Sequence, residues 1–114
     1  MPSQTVVLIR SNPETSHRPV EALRIALGLS SQEPAAVILV DKAPLLLSES
    51  SEDLAAGEEL QKYLPAFRES ESPIYVEEGA LKACGLGKTE FAIQPVTHAE
   101  IARIMAEAKN LIVF

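Results

Sequence analysis

The sequence predicts a doubly wound α/β domain: a mainly parallel sheet of about five strands with helices on both faces. Two observations predict it. Short apolar runs such as Val6-Val7-Leu8-Ile9 and Ala36-Val37-Ile38-Leu39-Val40 are unbroken rather than alternating, as in strands buried on both faces. Segments with helical spacing of apolar residues separate these runs along the chain, and strands alternating with helices imply a mainly parallel sheet.

The first run, residues 5–9, is the first strand. The polar segment 10–17 follows, and Pro13 keeps it out of regular structure. Ser16 is placed to cap a helix over residues 17–29, whose Val20, Leu23, Ala26 and Leu27 form one apolar face. Gly28 and the Ser30-Ser31 pair are expected to end it. Residues 36–40 form the second strand. Asp41 is expected to cap a short segment over 43–47, with Pro44 in its first turn. After a polar loop, a second long helix is expected from about Asp53 to Tyr63, with Leu54, Leu60 and Leu64 inward and Pro65 straining its end. Residues 73–76 are the third strand and 78–83 one or two turns of helix, with Gly85 placed for a C-terminal cap. A fourth strand is expected over 90–93. Thr97 and Glu100 have capping-box spacing and start the clearest helix, carrying Ile101, Ile104, Met105 and Ala108. Residues 111–114 are the last strand. No internal repeat or linker divides the 114 residues, so one domain over 1–114 is expected.

Composition narrows the function classes. The formal net charge is −6, and no Lys/Arg run reverses it locally, which argues against direct nucleic-acid binding. The longest apolar runs are about five residues, far short of the ~20 that span a bilayer. The first residues do not read as a signal peptide, and the cytoplasm is the expected location. Hydrophobic residues make up 46% of the chain with three Phe, two Tyr and no Trp, so the core must be aliphatic. One cysteine can neither form an internal disulfide nor build a zinc site alone, and no metal or cofactor is expected.

In this fold class ligands gather at the carboxyl ends of strands. Those ends carry Asn12, Ser16 and His17, then Asp41, then Glu77 and Glu78, then His98. His17 and His98 lie near helix starts, where an imidazole is held neutral and can act as a base; each also reads as a surface or capping residue. Asp41 reads as acidic machinery or as a helix cap. Glu77 and Glu78 can attract a cation or share a proton, or simply complement a helix dipole. Backbone N–H groups at helix starts near Asn12, Ser16 and Thr97 offer a small-anion or nucleotide site. Gly85-Leu86-Gly87-Lys88-Thr89 has the end of a phosphate-loop motif but lacks its first glycine and follows a helix, so it does not support one.

Cys84 is the one candidate nucleophile. Reactive thiols sit where a thiolate is stabilised, at helix N-termini or beside cations. Cys84 falls at the C-terminal end of its short helix, where the partial charge is negative and the thiol pKa is raised. Lys82 and Lys88 are near in sequence, and Lys88 offsets part of this. It also lies about two turns past the strand end, roughly 10 Å along the axis. An inert packing thiol is the favoured reading, with a sulfur carrier or transferase using Cys84 as the alternative.

The order and punctuation of these elements carry a family resemblance. The strand at 6–9 with its polar loop, the helix through Leu29, the strand before Asp41 with Leu45-Leu46-Leu47, the segment Ile74 to Leu86, and the ending Asn110-Leu111-Ile112-Val113-Phe114 together resemble the DsrE/DsrF family of sulfur-relay proteins (the DsrEFH/TusBCD group), closest to the DsrF/TusC branch. The resemblance implies a doubly wound fold that assembles into homo- or hetero-oligomers with related small subunits. It also implies passage of persulfide sulfur from a donor protein. In active members a cysteine at the end of the third strand carries the sulfur, and the matching position here is Glu77. A carboxylate cannot hold a persulfide, so the expected role is that of a non-catalytic or atypical member without independent catalytic activity.

Overall fold

The computed structural model describes residues 5–29, 35–86 and 89–114. The Ser30-Ser31 helix stop and the Gly87-Lys88 pair lie outside the described residues. Five strands form one parallel sheet: β1 (Thr5–Ile9), β2 (Ala36–Leu39), β3 (Ile74–Glu77), β4 (Ile93–Val96) and β5 (Asn110–Val113), in the order β4-β3-β2-β1-β5. Four α-helices connect them: α1 (Arg18–Leu29), α2 (Gly57–Glu69), α3 (Glu78–Ala83) and α4 (His98–Glu107). Two 3-10 turns, Ala43–Leu47 and Ser51–Asp53, lie between β2 and α2.

The sheet's two faces are covered unequally. On one face Val7, Ile9, Val37, Leu39, Ile74 and Val76 pack under α1, α2 and the turn Ala43–Leu47, with Leu23, Leu46, Leu60 and Phe67 fully enclosed. On the other, Val6, Ala36, Ile38 and Val96 pack mainly under α4, through Ile101, Ile104 and Met105. The central β2 is buried at all four positions, which is why its sequence is uninterrupted apolar.

Four expectations are corrected. Helix α2 begins at Gly57 and not near Asp53, because residues 51–53 form a separate 3-10 turn. A Cβ at Gly57 would overlap the Glu52 carbonyl, so this tight entry requires glycine. The helix also runs through Pro65 to Glu69. Proline removes one intrahelical hydrogen bond and costs roughly 3 kcal/mol in a helix interior, but the next turn buries Phe67, whose enclosure returns about as much. Strand β4 spans Ile93–Val96 and not 90–93. Phe91 leaves the sheet to pack its ring 6.1 Å from that of Phe67, and Pro95 is tolerated because β4 is an edge strand. Asp41 is not the cap of the turn at Ala43–Leu47: Lys42 stands at that N-cap with no side-chain hydrogen bond. Asp41 instead takes a left-handed backbone conformation, φ 54°, which turns the chain out of the sheet.

Smaller departures are of one or two residues. Helix α1 begins at Arg18 and ends at Leu29 as expected, and β5 begins at Asn110. The capping box of α4 is present in full: Glu100 N–H donates to Thr97 Oγ1 at 3.2 Å, and Thr97 N–H to Glu100 Oε1 at 3.0 Å.

Candidate functional site at the two ends of helix α3

Helix α3 lies between β3 and the chain that leads to the edge strand, and its two ends carry the candidate chemistry. At its start Glu77 is both the last residue of β3 and the N-cap. Its carboxylate turns back onto the helix: Gly79 N–H donates to Oε1 at 2.9 Å and Ala80 N–H to Oε2 at 2.7 Å. Both oxygens are therefore held by amides that the helix itself leaves unpaired. His98, the first residue of α4, places Nε2 3.4 Å from Oε1 and is charged against it when protonated. The two amides, then the His98 charge, hold the Glu77 carboxyl below the usual carboxylate range, opposed by its partial burial.

At the far end Cys84 is the C-cap, with its N–H on the Ala80 carbonyl at 2.9 Å. Gly85, φ 68°, donates to the Lys82 carbonyl and Leu86 to the Leu81 carbonyl, a Schellman closure that only glycine enters without strain. The Cys84 side chain packs partly against the core beneath α1 and α2. Its Sγ lies 3.6 Å from the Asp41 carbonyl oxygen. Burial pushes the thiol pKa up. The Leu45 backbone and the Lys42 ammonium pull it down, and the Glu14 carboxylate adds to the rise. Lys42 is itself paired with Glu14 at 3.3 Å, so its charge is shared. The partners that matter thus come from the β2 turn and the first loop. The expected role of Lys88 lies outside the described residues.

The remaining predicted residues divide. Asp41 and His98 line one open groove of about 610 Å³ with Leu8, Val40, Ile101 and Met105. Glu78 is exposed on the first turn of α3. Asn12 and Ser16 satisfy their own loop: Asn12 Oδ1 accepts from Glu14 N–H at 2.9 Å and Ser16 Oγ from Arg18 N–H at 3.1 Å. With Thr97 engaged in the capping box, these side chains occupy amides that an anion would otherwise use. His17 is not brought to the group; it borders a different cleft with Glu21, Arg24 and Tyr63. Sequence reasoning passed over Ser11, whose hydroxyl is enclosed at the end of β1 without a hydrogen-bond partner among the described residues. It also missed the Glu14–Lys42 pair beside the thiol, since 28 positions separate the two residues and no local pattern joins them. Among the described residues, no group of three or more His, Cys, Asp or Glu could hold a metal ion, and no helix is long and apolar enough to cross a membrane.

Comparison with known proteins gives this arrangement its context. A comparison with curated proteins returned no match. Among solved structures, the crystal structure of the ychN protein from E. coli superimposes with a TM-score of 0.78 at 18% identity, over 97% of this chain and 99% of that one. At that identity the likeness speaks for the fold alone. The model of the DsrE/DsrF-like family matches residues 4–114, nearly the whole sequence. The chain therefore belongs to the DsrE/DsrF-like family.

Proposed function

We propose that this chain is a non-catalytic or atypical subunit of a sulfur-relay-type oligomer, of the DsrF/TusC kind and cytoplasmic, which assembles with itself or with related small subunits. The observation that carries the reading is the state of Glu77. The end of β3 is where a sulfur-carrying cysteine is expected from the family resemblance, and here a carboxylate fills it. That carboxylate has both oxygens on the Gly79 and Ala80 amides. The same amides would stabilise a thiolate or persulfide anion, so the anion-holding geometry is present while the sulfur is absent. Glu77 acts as a fixed anion that keeps α3 and the strand end in shape.

The alternative, a carrier that uses Cys84, has the thiol's presence in its favour and its surroundings against it. The helix polarity, the burial and the Asp41 carbonyl all favour the neutral thiol, which is a poor acceptor of sulfur. The two readings separate by persulfide loading from a sulfurtransferase donor, followed by intact mass. The proposal expects no added sulfur on the wild-type chain. A single added sulfur, lost in Cys84→Ser, would establish the carrier reading instead.

A further inference from the structure

The two edges of the sheet differ in what they offer to a neighbour. Edge strand β4 reads Ile93-Gln94-Pro95-Val96, and Pro95 lacks a backbone donor. Edge strand β5 reads Asn110-Leu111-Ile112-Val113, with no proline and no charge. Natural sheets blunt open edges with prolines, lysines or bulges, and β5 carries none of these within its span.

The ladder with β1 fixes which groups of β5 face outward. Phe114 N–H donates to the Leu8 carbonyl at 2.9 Å, and the Phe114 carbonyl accepts from Arg10 N–H at 2.7 Å. In a parallel ladder alternate residues turn their amide and carbonyl to the same neighbour. Asn110, Ile112 and Phe114 therefore face β1, and Leu111 and Val113 turn theirs to the open edge. The same two residues are also exposed large hydrophobics, at 41% and 45%. Their register with Val6 and Leu8 puts their side chains on the α4 face, beside the groove lined by Leu8, Ile101 and Met105.

We propose that β5 is a dimerisation edge at which a second copy of this chain adds its own β5 antiparallel. This deepens the oligomer part of the reading above by naming the surface. The occupant follows from self-complementarity. A two-fold axis through Ile112, perpendicular to the sheet, sets Leu111 opposite Val113 of the second copy and Val113 opposite Leu111. Both are hydrogen-bonded pairs, so the four outward amides and carbonyls on each side match with none left over. The axis keeps α4 faces on the same side, so the Leu111 and Val113 side chains of both copies meet in one apolar strip. Ile112 meets its own mate on the opposite face. The result is a continuous ten-stranded sheet with no edge of the β5 kind. A four-residue strand pair buries less than the ~1,600 Å² of a standard stable interface, so a reversible, concentration-dependent dimer is expected. Each copy carries a net charge of −6, and added salt, by screening their repulsion, tightens the dimer.

The test is sedimentation velocity over a concentration series, with far-UV circular dichroism to establish folding. Wild type is expected to show a monomer–dimer equilibrium. Val113→Lys, which places a charge on the edge, is expected to weaken it at least tenfold. Gln94→Lys on the opposite edge is expected to leave it unchanged. The register is tested by cysteine cross-linking with oxidised glutathione in a Cys84→Ser background. Ile112→Cys faces its mate at about 4.5 Å between Cα atoms, within disulfide range, and is expected to form a covalent dimer. Asn110→Cys lies about 14 Å from its mate and is expected to form none. A chain monomeric at all concentrations overturns the proposal. So does an oligomer unmoved by Val113→Lys whose Ile112→Cys variant does not cross-link, because another surface then assembles it. The sulfur-handling reading stands or falls separately, since persulfide loading of single chains does not depend on β5.

Discussion

Glu77 and Cys84, at the start and the end of helix α3, lie seven residues apart and present opposite electrostatics. At the start, two amides without intrahelical partners donate to Glu77, and the helix dipole favours an anion. At the end, the dipole, burial and the Asp41 carbonyl oppose one at Cys84. In the proposed reading, a sulfur carrier would hold its anionic sulfur at the first position. This chain has an anion there that is not sulfur, and a sulfur at the second position that is not anionic. The position, more than the residue type, sets which end favours a thiolate, and the proposed non-catalytic role rests on this distribution of residues.

The largest effect expected is the conversion of one end into a reactive site. Glu77→Cys in a Cys84→Ser background puts a thiol on the Gly79 and Ala80 amides. Its pKa is expected to fall by about one unit or more, so that alkylation near pH 7 runs about tenfold faster than for Cys84 in the wild type. Stopped-flow alkylation against pH measures this, and equal rates at the two positions would break the comparison.

Next in size is the structural role of the native carboxylate. Glu77→Ala removes the cap of α3 and is expected to cost about 1–2 kcal/mol in denaturant unfolding. Because the Glu77 pKa is lowered on folding, its contribution is complete above the unfolded value of about 4.5 and is lost as pH falls through the folded value. The stability gap between wild type and Glu77→Gln should accordingly be widest above pH 5 and close in acid. A gap that widened in acid would mean the carboxylate is not held as described.

Smaller again is Gly85→Ala, which forces a Cβ into a left-handed turn and is expected to cost about 1 kcal/mol. It tests whether the C-terminal closure, and hence the seat of the thiol, is set by the glycine. The smallest effect is that of Cys84→Ala, expected within about 1 kcal/mol of wild type by thermal melting. Its wild-type thiol should react with alkylating agents more slowly than a free cysteine, up to pH 9.

Much of this was legible in the sequence, for identifiable reasons. The unbroken runs at residues 6–9 and 36–39 read as doubly buried strands because their positions are buried on both faces, and Thr97 with Glu100 announced α4 because capping is a local interaction. Cys84 could be placed at the unfavourable end of α3 because Gly85 marks that end. The misreadings arose where tertiary packing overrode local signals. Phe91 and Ile93 look like one strand, but Phe67 draws Phe91 into the core and the strand starts later. Pro65 looks like a stop, but Phe67 holds the next turn in place. Asp41 has the composition of a cap and serves as a turn. The groups around the thiol come from Asp41, Lys42 and Glu14, 42 to 70 positions away, which no local pattern reveals.

The central claim is that the anion-holding end of α3 is intact but lacks its sulfur. Persulfide transfer from one donor to three chains, followed by intact mass, tests it most directly. The account predicts no added sulfur on wild type or on Cys84→Ser, and one added sulfur on the Glu77→Cys, Cys84→Ser chain. Sulfur appearing on wild-type Cys84, with none on the chain substituted at Glu77, would contradict it.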